Sequence, residues 1–517
     1  MRGRPLRPRR PSAALWALAV LAALALPAGP ACAQAARPPG PTGTVPATAD
    51  TVPAGRAALE GIATPPLVFR PPEPERHRLH GVTVLFLEDH TLPLVDIRAG
   101  FRGGYARFGR QRYAAAMALP GLLRYGGTRH LPPDSVDVRL EFYALQTSFG
   151  TAGEGISAGL NTLTEHLETG LDLWVEMLRE PRFDSSQIEV WRGARLEDVR
   201  RRADDPARLA FTEFNRLLYG DHPIGWELTA RDLDPSRLNR GVLQELHSRI
   251  LCRDNMVLGV TGDVTWERLR ALLAPVLADW PACAEALPPP PLPHIRREPG
   301  IFVIPKSIAQ SVIVLAHPTG VRLSDDPEYF NAQIANAILG GGGFSSRLLA
   351  RVRTEAGYAY SASSLWTTPR RFDGIVGAVT RTRPERTVDA LRLVLEILEE
   401  ARTEPPTEEE VGTAVDRIVN GFVFNFETPA QIVARRMFYE LSDLPTDWLE
   451  RFVEGVERVT ADSVFSVLRR WLHPEAMTVL VVGDPERMDV KGLEALGPVT
   501  FLEPTSSLPS EGRRFPE

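Results

Sequence analysis

At 517 residues, with 44% hydrophobic and 24% charged residues, the chain is too long for one core and too apolar to be disordered, so two to four globular domains are expected. A formal charge of −6 argues against the basic face that nucleic-acid binding needs. Lysine occurs only at Lys306 and Lys491; the other fixed cations are arginines spread over the whole chain, a distribution that points to no single ligand.

The N-terminus reads as an export signal. Arg2, Arg4, Arg7, Arg9 and Arg10 form a basic region, Ala13 to Leu26 is an apolar run, and Ala31-Cys32-Ala33 is a small-x-small cleavage site before Gln34. The run is short for a membrane span. Gly29 stands where a lipobox needs leucine, and Arg9-Arg10 lacks the pattern that follows in a twin-arginine signal. Residues 1–33 are therefore expected to be a signal peptide, and the protein to be exported and periplasmic, with no membrane span. Residues 34–76, rich in Ala, Pro, Gly and Thr, read as a flexible leader.

A first domain is expected over 77–280. Gly81 to Glu88 alternates like a strand, and Leu94 to Gly104 reads as a second. Helical patterns follow at 112–126 and 132–145, then a strand pair over 146–163. Glu165–Arg179, a long charged run Ser185–Tyr219, and Arg237–Ile250 read as helices. Asn255–Val264 reads as a buried strand, with an amphipathic helix after it. Cys252 and Cys283 flank that strand and helix, a spacing that fits either a disulfide or two separate buried thiols. Residues 281–299, with Pro-Pro-Pro-Pro-Leu-Pro, read as a linker with little to pack.

A second domain is expected over 300–500, with a tail over 501–517. It repeats the order of the first: strands at Gly300–Pro305 and Gln310–His317, helices at Glu328–Leu339 and Ser345–Glu355, and strands through 359–380. Helices follow at Glu385–Thr403, at a long charged Glu408–Leu441 and at Ala461–Leu472, then a strand at Ala476–Asp484. Met256-Val-Leu-Gly-Val-Thr-Gly-Asp263 and Met477-Thr-Val-Leu-Val-Val-Gly-Asp484 nearly coincide. A period of this size exceeds any solenoid repeat and implies a duplicated α+β domain. The run Gly340-Gly-Gly-Gly-Phe-Ser-Ser346 lacks Gly-Lys-Ser/Thr and follows no strand, so it is not a phosphate loop. It reads as a flexible turn lining a substrate chamber.

Several motifs, in order and at matching separations over about 80–485, resemble the insulinase/pitrilysin-type (M16) zinc peptidases of bacterial two-domain type. They are Leu218-Tyr-Gly-Asp-His-Pro-Ile-Gly225 with Asp204-Asp205-Pro206 before it, Gly343-Phe-Ser-Ser-Arg-Leu348, and Arg353-Thr-Glu-Ala-Gly-Tyr-Ala-Tyr360. Tyr113 to Thr128 resembles the helix on which that family carries His-x-x-Glu-His. Here the two histidine positions are Ala118 and Leu122, and the glutamate position is Gly121. Alanine and leucine offer no lone pair to a metal, and glycine cannot move a proton. The family's third ligand is a glutamate further on, near Glu197 and Asp198, but one carboxylate cannot hold zinc where three protein ligands are needed. No metal is expected in this chain. His77, His80, His130, His166, His222 and His247 lack ligand spacing.

The resemblance implies two tandem homologous α/β-sandwich domains (the LuxS/MPP-like metallohydrolase fold), each an antiparallel-rich sheet packed with helices. It also implies that Arg353 and Tyr360 act on substrate bound at a partner's zinc. Arginine offers a fork to a carbonyl or carboxylate, and tyrosine can donate to an oxyanion. Without the resemblance, Arg353 would be read as a surface residue and Tyr360 as a core residue. Tyr358 competes for the tyrosine position, and Gly343, Phe344 and Tyr358 are expected in the substrate chamber. The expectation is a non-zinc subunit, inactive alone, that completes a metallopeptidase with a homologous HxxEH partner and takes peptides. The alternative is an inert peptide-binding or structural homologue.

Overall fold

The computed structural model describes residues 70–503; the expected signal peptide, most of the leader and most of the tail lie outside them. From Pro72 on, the described residues form one compact unit. It contains two six-stranded sheets of the same design.

In the first sheet the order is β1-β2-β6-β3-β5-β4, formed by β1 (Glu75–Leu79), β2 (Val82–Glu88), β3 (Leu94–Arg102), β4 (Gln146–Thr151), β5 (Gly155–Leu163) and β6 (Met256–Gly262). In the second the order is β12-β7-β11-β8-β10-β9, formed by β7 (Gly300–Pro305), β8 (Ser311–Pro318), β9 (Ala359–Trp366), β10 (Ile375–Thr382), β11 (Thr478–Gly483) and β12 (Val499–Phe501). β6 runs parallel to β2 and antiparallel to β3, and β11 runs parallel to β7 and antiparallel to β8. The near-identical runs Met256–Asp263 and Met477–Asp484 thus occupy the same place in each half. Only one edge differs: β1 pairs antiparallel, β12 parallel.

The helices of the first half are α1 (Tyr113–Tyr125), α2 (Pro133–Phe142), α3 (Leu167–Arg179), α4 (Ser185–Arg201), α5 (Pro206–Tyr219), α6 (Arg240–Ile250) and α7 (Trp266–Ala278). Those of the second are α8 (Pro327–Asn336), α9 (Thr387–Thr403), α10 (Glu408–Val423), α11 (Pro429–Leu441), α12 (Trp448–Glu457) and α13 (Ala461–Trp471). Each long charged run expected as one helix is two. Pro206 and Pro429 lack the N–H a continuing helix would use, and the residue before each starts a new one. Asp205 accepts from the N–H groups of Ala207 and Arg208, and Thr428 forms a capping box with Gln431. α12, β1 and β12 had no sequence expectation; β1 and β12 are short edge strands with weak alternation.

The central strands are buried on both faces, which explains their unbroken apolar runs. Alternation sends Val82, Val84, Phe86, Leu258 and Val260 into the core made with the first half's own helices. Leu85 and Val257 point the other way, onto Val433 and Met437 of α11 from the second half. The reciprocal holds: Leu209, Ala210, Phe214 and Leu218 of α5 pack on Val312, Val314, Leu480 and Val482 of the second sheet. Each half therefore lends a helix to the outer face of the other's sheet.

The segment 281–299 is not loose. Arg107 donates to the Pro288 carbonyl (2.6 Å), the Arg296 N–H donates to Leu218 O (2.8 Å), and Ile295 packs on the core around α5. Cys252 and Cys283 are disulfide-bonded, their Cα atoms 4.9 Å apart. Among the described residues no helix is long and apolar enough to cross a membrane.

Candidate functional site

The degenerate metal positions are part of the core. α1 packs against α4, α6 and β4, and Ala118 and Leu122 on it are 0% and 1% exposed. A Cβ at Gly121 would lie 3.6 Å from the Trp191 indole of α4. The face that would carry zinc is thus hydrocarbon backed by an indole, and it does not fit a metal. α4 buries Ile188 and Val199, which lie about three turns apart on one face, so Glu197 points away from that face. Asp198 pairs with Arg195 at 2.7 Å and Glu197 with Arg201 at 2.5 Å. Among the described residues no group of three His, Cys, Asp or Glu is placed to hold a metal ion.

The histidines have other surroundings. His247 is buried, with Nε2 2.7 Å from Leu178 O, and burial lowers its pKa. His222 sits 3.0 Å from the Pro291 carbonyl, and His77 stacks on Trp266. His90, which carried no sequence signal, lies between Asp263 (2.6 Å) and Glu88 (2.7 Å); these hydrogen bonds raise its pKa.

Arg353 and Tyr360 lie on the second half, at the outer edge of its sheet. The segment carrying Arg353 runs from Arg347–Leu349 into a π-helical turn, Ala350–Glu355. Leu348 and Val352 anchor it in the core, both 0% exposed. Arg347 makes a two-pronged pair with Glu410 (2.7 and 2.8 Å), which raises its own pKa and lowers that of Glu410, and Arg351 pairs with Glu400. The turn ends at Gly357, whose φ of +64° suits glycine, and the Tyr358 N–H closes back onto Val352 O (3.0 Å). Thr382 then holds the Tyr358 carbonyl at 2.6 Å.

β9, an edge strand, carries a bulge at the next step. Arg381 pairs with Ser361 and Thr382 with Ala359, so the register skips Tyr360. Bulges re-aim side chains; here Tyr360 is turned outward and is 78% exposed. The reading of Tyr360 as a core residue therefore fails. The Arg353 guanidinium lies 4.9 Å from the Phe344 ring centre and 4.7 Å from that of Tyr360. Two rings hold the cation without using its N–H donors. Among the described residues nothing hydrogen-bonds the Tyr360 hydroxyl, and Arg353 has no carboxylate partner.

Arg353, Tyr358 and Tyr360 line an open hollow of about 310 Å³ together with Gln310, Arg381 and Arg383. No residue of α1 or α4 lines it, so the degenerate positions and the Arg/Tyr pair do not form one site within this chain. Phe344, 74% exposed, stands beside Arg353. The glycine run before it begins tightly packed: Gly340 is buried, and a Cβ there would fall 2.1 Å from the Ser364 nitrogen. Gly343, at φ +70°, lies under the Arg417 guanidinium. Arg381, Arg383 and Trp191 were missed by sequence reasoning. The only signal for the arginines was their position just past the expected end of a strand at 380.

Residues 237–418, which include Arg353 and Tyr360, match a family profile described as the peptidase M16 inactive domain. An uncharacterized zinc protease of Mycobacterium tuberculosis is 26% identical over 324 residues, 62% of this chain and 73% of that protein. The non-peptidase homologue YmxG of Helicobacter pylori is 20% identical over 411 residues, 78% of this chain and 93% of that one. The crystal structure of a peptidase M16 inactive domain from Pseudomonas fluorescens has the same fold. Its TM-score is 0.71 at 24% identity, over 80% of this chain and 99% of that one. The chain is thus similar to M16 peptidases and their inactive homologues, and across residues 237–418 it matches the inactive domain of that family.

Proposed function

We propose that this chain is the non-zinc subunit of an exported, periplasmic M16 metallopeptidase. On this reading a homologous HxxEH subunit supplies zinc, and this chain supplies Arg353 and Tyr360 to the bound peptide. The observation that carries it is the outward-facing pair itself: a cation clamped by two rings with its donors unspent, beside a phenol with a free hydroxyl, on a bulged edge strand. Arg353 would orient a peptide carbonyl or carboxylate, and the Tyr360 hydroxyl would donate to the carbonyl oxygen as it gains negative charge.

The test is reconstitution. The purified chain alone should contain no stoichiometric zinc and cleave no peptide; mixed with an HxxEH homologue encoded beside it, cleavage should appear. Tyr360→Phe should lower kcat by about 100-fold, the usual loss for one oxyanion donor, and Arg353→Ala should chiefly raise KM. Full activity in both variants would remove these residues from the mechanism. A relative named as a non-peptidase homologue favours a second reading, a peptide-binding protein without catalysis. In that case peptides would still bind in an Arg353-dependent way, with no cleavage in any mixture.

A further inference from the structure

The hollow at Arg353 carries more positive charge than one substrate contact requires. Its lining includes Arg353, Arg381 and Arg383 and no acidic residue. Arg386 stands beside it, over the Tyr358 ring at 5.6 Å. Elsewhere in the chain arginines are mostly paired: Arg347 with Glu410, Arg351 with Glu400, Arg386 with Asp389. Glu385, two residues after Arg383, accepts a hydrogen bond from Arg487 at 2.8 Å, and Arg383 acts on it only through its charge. Among the described residues, Arg353, Arg381 and Arg383 make no ion pair and no side-chain hydrogen bond.

This concentration of unpaired cations stands out in a chain whose net charge is −6. Arg381 and Arg383 sit on the last residues of β10 and just beyond it, next to the bulge that turns Tyr360 outward. Both arginines line the same hollow as Arg353 and Tyr360, beside the edge strand β9. Their planar forks match carboxylates in geometry as well as charge.

Building on the peptide-binding reading above, we propose that Arg381 and Arg383 make this hollow selective for peptides with acidic side chains. The test uses the full disulfide-bonded chain and fluorescence anisotropy at low salt. Labelled short peptides are compared in three forms: Glu-containing, the isosteric Gln version, and the Glu version with an amidated C-terminus. The Glu peptide should bind about tenfold more tightly than the Gln peptide, as expected of charge-assisted hydrogen bonds. That advantage should shrink as salt rises. Amidation should leave the affinity of the Glu peptide unchanged; loss of its binding on amidation would assign recognition to the terminal carboxylate and overturn the inference. The double variant Arg381→Ala/Arg383→Ala should abolish the preference, bringing the Glu peptide to the affinity of the Gln peptide, and Arg381→Lys/Arg383→Lys should restore it in part. Equal affinities, no binding of any peptide, or a preference surviving the alanine variant would each overturn the inference. If the reconstituted pair cleaves Glu and Gln peptides equally while Arg353→Ala abolishes cleavage of both, the selectivity falls and the proposed function stands.

Discussion

Gly259 on β6 sets how closely α11 approaches the first sheet, and it offers a measurable test of the reciprocal packing. Alanine there would place its Cβ 2.4 Å from Val433 Cγ1 and 2.4 Å from Met437 Sδ, against about 3.5–4.0 Å in ordinary contact. The Met437 thioether can turn aside. Val433 is 1% exposed and stiff at its first torsion, so α11 itself must shift by about 1 Å. Overpacking of this kind costs about 1–3 kcal/mol, and replacing a strand glycine recovers about 0.5–1 kcal/mol of backbone entropy. The net expectation for Gly259→Ala is a loss of about 0.5–2 kcal/mol. Val433→Ala alone removes two buried methyl groups and should cost about 1.5–2.5 kcal/mol. In the double variant the new Cβ occupies the space Val433 vacated, so the second change should be nearly free, giving a coupling of about 1–2 kcal/mol. Urea unfolding followed by tryptophan fluorescence measures all four states of the cycle. Additive costs, or two separate transitions for the two halves of the wild-type chain, would refute the claim that each half is closed by the other's helix.

Three other outcomes are expected. Burial depresses the His317 pKa to about 4, while its ring accepts the His473 N–H at 2.9 Å. The folded state therefore binds fewer protons than the unfolded state between about pH 6.5 and 4, and the stability this represents is present above that window and lost as pH falls through it. About 2–3 kcal/mol should disappear between pH 7 and 4.5 in the wild type and not in His317→Gln, measured by urea midpoints; identical pH slopes would count against it. Asp205→Ala removes the acceptor for two N–H groups at the start of α5 and should cost about 0.5–2 kcal/mol, with a cap-sparing Asp205→Asn variant close to wild type. Installing the missing motif, Ala118→His/Gly121→Glu/Leu122→His, should destabilise by at least about 3 kcal/mol and bind no stoichiometric zinc, because Leu122 alone is a fully packed side chain. A stable variant with one zinc by metal analysis would show that this face of α1 is open.

The duplication and the place of every central strand were legible because each rests on local pattern. Doubly buried strands read as unbroken apolar runs, and Ala118 and Leu122 carry no ligand atoms wherever they lie. The proline breaks at Pro206 and Pro429 were also on the page, but helical periodicity continues across them and concealed the stops. What sequence could not supply was placement across long separations. α11 on β6 joins residues about 180 apart, and the bulge at Tyr360 becomes visible only in the register of β9 against β10. Arg381 and Arg383 gain meaning only from that bulge, which is why neither drew notice among so many scattered arginines.

The two sets of positions that the resemblance to M16 peptidases singles out have opposite surroundings here. The positions that the resemblance assigns to metal lie in the core: Ala118 and Leu122 are buried, and Trp191 stands over Gly121. Tyr360 and Phe344 do the reverse, leaving most of their ring surface in water, and Arg353 keeps its donors free. Exposed cation–π contacts return only about 0.5–1 kcal/mol each, less than either ring would contribute if buried. Internal stability therefore does not account for this arrangement. A group that is clamped in place, left unpaired and turned outward by a register shift is what the proposed role in peptide binding rests on.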